Sequence, residues 1–199
     1  MTAKTHIIAG TALTVLMTRP DNIKFLTLSV AGGVIGSIIP DIDSKNSETN
    51  QVFDKVTVVT VLTIIICFLI EYFFHIGLYK LLLKKHNIEE LLITAILFFI
   101  MCIIGGRSSH RSITHSILGL IIFTCIINIS LPKVFIDSFV IGYASHIVLD
   151  LLNHRGIKLF YPIKKRLCLD LCDSDGLINN IIFYVSSIFL VIISISYYM

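Results

Sequence analysis

Residues 177–199 run for 23 positions without Asp, Glu, Lys or Arg. At 1.5 Å per residue, a helix of that length crosses a bilayer core of about 30 Å. In lipid every backbone polar group must be bonded within the protein, so strands with open edges are excluded. Further apolar runs cover 56–79, 91–106, 112–131 and 134–152. The first of these is uncharged to Ile70 and continues through Glu71 and His75; the last carries Asp137, His146 and Asp150. Two shorter runs, 7–17 and 25–39, are separated by Arg19-Pro20-Asp21-Asn22, a helix stop. The predicted fold is all-α: a polytopic transmembrane helical bundle of five clear spans plus two short N-terminal helices, in one domain over 1–199.

Composition supports this. Hydrophobic residues make up 55% and charged residues 15%, against roughly a quarter charged in soluble domains. That excludes a soluble globular protein, a disordered chain and a disulfide scaffold. The net charge of +3 is spread over short loops, so no nucleic-acid partner is expected. Cys67, Cys102 and Cys125 lie in apolar runs, where cysteine acts as a small hydrophobe. Cys168 and Cys172 form a lone CxxxC, which does not make a zinc ribbon. Lys4 before an apolar run has the look of a signal peptide, but no small-residue cleavage pattern follows, so the segment is expected to be retained.

Ionisable residues inside membrane helices are costly and mark function. Here they form four groups: His6; Asp41 and Asp43 after Pro40; His110, Arg111 and His115; and His146 with Asp150. If all seven runs cross, parity places the four groups on one side of the membrane. His146 and Asp150, four apart, share a helix face and can grip one metal. Mixed His and Asp suits zinc, manganese or iron better than calcium. The inventory His6, Asp41, Asp43, His110, His115, His146 and Asp150 exceeds the ligands of one zinc, which points to two ions. Arg111 suits a phosphate contact, and Thr114 and Ser116 suit support of the histidines. The bland readings are an interfacial anchor for His6, loop caps for Asp41 and Asp43, and a self-satisfied pair for His146 and Asp150.

Other polar residues are set aside. Glu71 and His75, about 22 Å along from Val56, read as a pair satisfied within the bundle. Asp137 lies toward the opposite end, His86 in a basic loop reads as solvated, and His154 is a reserve ligand. The segment 168–175 reads as an ordinary polar loop.

The pieces Thr5-His6, Pro40-Asp41-Ile42-Asp43, His110-Arg111-x-x-Thr114-His115-Ser116, His146-x-x-x-Asp150 and the later 156–162 resemble the YdjM-like membrane-bound metal-dependent hydrolases. That family is distantly similar to zinc-dependent phospholipases C. The resemblance covers about 5–162. It implies a bacterial cell-membrane hydrolase with zinc as the leading cofactor and a membrane lipid or lipid-linked phosphoester as substrate. Family members often carry an acidic residue near the start of the last helix. This chain instead reads Gly176-Leu-Ile-Asn179-Asn180, so no ligand is assigned there. Two other classes stay open: a transporter or metal carrier, which ionisable residues near the midplane would favour, and a non-enzymatic regulator with the same fold.

Cytoplasmic loops carry excess Lys and Arg. Of the 16 such residues, Arg19, Lys24, Lys80, Lys84, Lys85 and Lys133 fall opposite the four groups, and the majority falls beside them. The site is therefore expected to face the cytoplasm.

Overall fold

The computed structural model describes residues 1–43, 49–80, 88–173 and 176–196, with the side chains of 49–57 and 194–195 also outside the description. His86, Lys84, Lys85, Lys45 and Asp175, and the side chain of Lys55, therefore lie outside the described residues.

The helices are α1 (Ala3–Thr18), α2 (Ile23–Ile38), α3 (Thr49–Phe74), α4 (Ile88–Arg107), α5 (Ile117–Ile127), α6 (Lys133–Leu151) and α7 (Leu177–Ser196). A 3-10 turn, Ile39–Asp43, extends α2. Among the described residues there are two isolated β-bridges and no named strand. Among the described residues, three segments are long and apolar enough to cross a membrane: Ile23–Asp43, Ile88–Arg107 and Lys133–Leu151. Shorter apolar helices are Val58–Phe74, Ile117–Ile127 and Leu177–Ile193. The chain is thus an all-helical bundle, as composition implied, but the division into five clear spans and two short helices changes in three places.

The second N-terminal run becomes a full-length candidate span, because the 3-10 turn continues the helix past Pro40. The run 112–131 yields a helix of only 11 residues. Its first five residues form turns, and Ser116 caps α5 by accepting from the Gly119 amide at 3.1 Å. The run 56–79 breaks after Phe74, where His75 and Gly77 take positive φ (47° and 77°). Glu71 does not pair with His75. Its carboxylate accepts from the amides of Gly77 (3.2 Å) and Leu78 (2.8 Å) and so fixes that break. Asp137 is exposed and pairs with Lys133 at 3.0 Å.

α2 packs against α6, with α1 lying on both and α7 beside α1. Glycine allows the close approach. A Cβ on Gly36 would lie 2.3 Å from the Phe139 carbonyl oxygen, and one on Gly142 would lie 2.5 Å from that of Gly33. The buried core includes Ile35, Ile39, Phe123, Phe139, Tyr143 and Ile157. By contrast, α3, α4 and α7 expose large apolar side chains such as Phe68, Phe99 and Val185, as lipid-facing helices do.

Candidate metal centre

Each helix that reaches the centre ends or begins there. His6 stands in the early turns of α1, Asp41 and Asp43 on the 3-10 turn after α2, His115 in the turns before α5, and His146 and Asp150 in the last turns of α6. Helix termini leave backbone groups unsatisfied and tolerate polar company, so polar side chains collect there at least cost. His6, Asp43, His115, His146 and Asp150 are buried, and Asp41 is half-buried.

The imidazoles are oriented from behind. His146 Nδ1 donates to the Ser37 carbonyl at 2.6 Å. His115 Nδ1 lies 3.3 Å from Asp43 Oδ2, which also accepts from Thr114 Oγ1 at 2.6 Å and from the Ser112 amide at 3.3 Å. The Ser37 carbonyl requires the proton of His146 on Nδ1, and the Asp43 contact suits the same tautomer of His115, with Nε2 of each ring turned inward. The two Nε2 atoms approach to 3.4 Å. Asp41 Oδ1 lies 3.7 Å from His115 Nε2 and 3.6 Å from His146 Nε2. Asp150 Oδ2 lies 3.5 Å and 3.9 Å from the same two atoms.

These four atoms, with Arg111 Nη2 also 3.2 Å from Asp150 Oδ2, face one another in a group that a cation between them would stabilise. A tetrahedral ion with bonds of about 2.1 Å sets its ligand atoms roughly 3.4 Å apart, close to the spacings here. The donor set therefore fits a divalent transition metal. Among the described residues, two groups have their ligand atoms within 4.8 Å of one another: His6, His146 and Asp150, and Asp41, His115 and His146. They share His146. Asp150 offers Oδ1 to His6 Nε2 (3.2 Å) and Oδ2 to the other group, as a bridging carboxylate does. The Met1 amino nitrogen also lies 3.0 Å from Asp150 Oδ1. His6 stacks on His146 at 3.7 Å, and its Nδ1 has no partner.

Arg111, 7% exposed, sends Nη2 to Asp150 Oδ2 at 3.2 Å. Its Nε and Nη1 are buried and unpartnered. Its backbone is left-handed (φ 58°), uncommon for a non-glycine residue and found at functional sites. The 156–162 piece braces this turn. The Lys158 amide donates to the Arg111 carbonyl at 3.3 Å, and the Ile117 amide donates to the Leu159 carbonyl at 3.0 Å.

Not every sequence candidate joins the convergence. His110 is partly exposed and meets Asp43 Oδ1 at 3.0 Å, on the far side of that carboxylate from His115. Asp43 acts behind the histidines. Ser116 caps a helix, whereas Thr114 serves Asp43. His154 divides its nitrogens between Asp170 and Asp173, the latter at 3.2 Å. The Asp170 carboxylate first, then Asp173, holds the imidazole above its ordinary value, and the two partners do not converge on one ligand position. Asn179 is buried and accepts from the Thr2 amide at 3.2 Å, fastening the start of α1 to α7. The Ser37 carbonyl was not anticipated, because a backbone acceptor leaves no mark in residue type.

The model of the YdjM inner membrane protein family matches residues 1–199. The chain belongs to that family. Family and apolar helices together make it an integral protein of the bacterial inner membrane. It is also similar to the uncharacterized protein YvsG of Bacillus subtilis (strain 168), with 26% identity over 177 residues, 88% of this chain and 82% of YvsG. No solved structure matches. For this member of the YdjM family, the buried His and Asp groups are a candidate metal centre.

Proposed function

We propose that the chain is a membrane-bound, metal-dependent hydrolase of a phosphoester carried by a lipid or lipid-linked substrate. The observation that carries this reading is Arg111: a buried guanidinium with Nε and Nη1 idle, tethered through Nη2 to a carboxylate of the metal-grade cluster. Buried donors without partners are costly, and a planar pair of N–H groups matches two phosphoryl oxygens. An ion-holding cluster next to an anion receptor suits phosphoester chemistry better than metal transport, which has no use for the arginine.

His115, His146, Asp41 and Asp150 would hold one ion, and His6 with the other oxygen of Asp150 a second; zinc fits the mixed donors best. A divalent metal held by these residues would supply a water of lowered pKa and polarisation of a phosphoryl oxygen. Asp43 and the Ser37 carbonyl keep the two imidazoles in the tautomer that faces inward. Arg111 positions the phosphoryl group and offsets its charge. Burial strengthens both effects, because the local dielectric is low.

The test is elemental analysis of detergent-purified protein, followed by assay against phosphoester lipids and a tail-free phosphodiester. The parent should carry zinc or a related metal and hydrolyse at least one class. Arg111→Lys should raise KM about tenfold or more, a loss of about 1.4 kcal/mol. Metal-loaded protein that cleaves no phosphoester would overturn the proposal.

A further inference from the structure

Below the metal centre lies an apolar cleft of about 660 Å³, partly enclosed and partly open. Ile39 and Ile42 line it at the centre's end, Cys67 and Phe98 along its sides, and Leu28 and Leu78 at the other end. Between Leu28 and Ile39 the axis of α2 rises about 16 Å, close to one leaflet's share of a hydrocarbon core of about 30 Å. The volume falls in the range of about 300–1,000 Å³ for pockets that enclose one small ligand.

Polar groups on the lining are nearly all engaged. Ser130 donates to Thr94 at 2.8 Å, Thr63 donates to the Val59 carbonyl at 2.8 Å, and Glu71 is taken by the Gly77 and Leu78 amides. The Thr60 hydroxyl is the exception, buried without a partner. The cavity can therefore hold a hydrocarbon chain but offers nothing to bind a charged head. The head's partners all lie at one end. Ile42 lines the cavity while its chain neighbours Asp41 and Asp43 belong to the metal centre, so one short turn borders both. Thr114, which holds Asp43, packs near Ile42 at Gly105: a Cβ there would lie 2.7 Å from Thr114 Cγ2 and 3.1 Å from Ile42 Cγ2.

We infer that this cavity seats one hydrocarbon tail of the substrate, with the phosphoester held above it between Arg111 and the His and Asp cluster. This rests on the hydrolase reading and adds to it a substrate class: a phosphoester with a tail about one leaflet long, seated in a partly open cleft of the protein.

The experiment uses two photoprobes on full-length protein in nanodiscs, a single-tailed alkyl phosphate and the alkyl alcohol of the same length, each with a diazirine near the tail end. The phosphate probe should label residues 60–68 and 94–102, at least several-fold more than the alcohol does. Labelling of outward residues such as Val148, Val185 and Ile188 instead, or equal labelling by both probes, would overturn the inference. Ala31→Phe, which narrows the cavity, should lower kcat/KM for a long-tailed ester at least tenfold relative to a short-tailed one; an unchanged ratio in the folded variant also overturns it. Hydrolysis of the tail-free phosphodiester separates the two readings. Turnover of that substrate without cavity labelling removes the tail site and leaves the hydrolase. Absence of turnover on every phosphoester removes the hydrolase, whichever residues are labelled.

Discussion

At the scale of single residues, the centre depends as much on the groups behind the imidazoles as on those facing inward. Asp43 spends one oxygen on His110 and the other on His115, Thr114 and the Ser112 amide, so it orients the His115 ring. Replacing such a partner typically weakens metal binding by about 10–100-fold. Asp43→Asn should therefore bind zinc about 10–100-fold more weakly in chelator competition, with its helical content unchanged. Parent affinity in that variant would show that His115 is oriented some other way. Residue types pointed to His6, Asp41, His115, His146 and Asp150, which the fold brings together, because charged and imidazole groups are conspicuous in apolar surroundings. They pointed equally to Asp43 and His110, since spacing cannot tell a side chain in front of a histidine from one behind it. The Ser37 carbonyl was invisible for a simpler reason: every residue has one.

At the scale of elements, the centre is held together by the contact of α2 with α6. Ser37 follows Gly36, and His146 lies one turn beyond Gly142, so the glycines that let the backbones meet also bring the Ser37 carbonyl to the His146 ring. Gly36→Ala would press a methyl against the Phe139 backbone, with the Cβ 2.3 Å from its oxygen. Overpacking of this kind costs about 1–3 kcal/mol. The variant should melt at lower temperature in detergent and retain less metal; a parent-like melting point would mean that the two helices can part without loss. Element type was legible from apolar runs, but element length was not. No Asp, Glu, Lys or Arg falls between Ser112 and Leu131, so the absence of charge does not mark where α5 begins. Conversely, Pro40 looks like a stop although the 3-10 turn carries the chain onward.

At the scale of the whole molecule, the chain has a front and a back: α1 leaves the centre and α2 returns to it, so 19–22 lie at the far end. From the excess of Lys and Arg beside the centre we propose that this face lies in the cytoplasm. Cys168, exposed in the loop after α6, is a natural reporter. In intact cells it should resist a membrane-impermeant maleimide, whereas a cysteine introduced as Asp21→Cys should react; the reverse pattern would place the centre outside. The 11 residues of α5 rise about 16 Å, well short of a core of about 30 Å, and the centre sits at its N-terminal end. Such a mismatch is met by a thinner bilayer around the short helix, which lets the aqueous phase dip toward His115. On the hydrolase reading proposed above, a reaction that consumes water on a substrate that shuns it would draw that water past the short α5, from the side opposite the hydrocarbon.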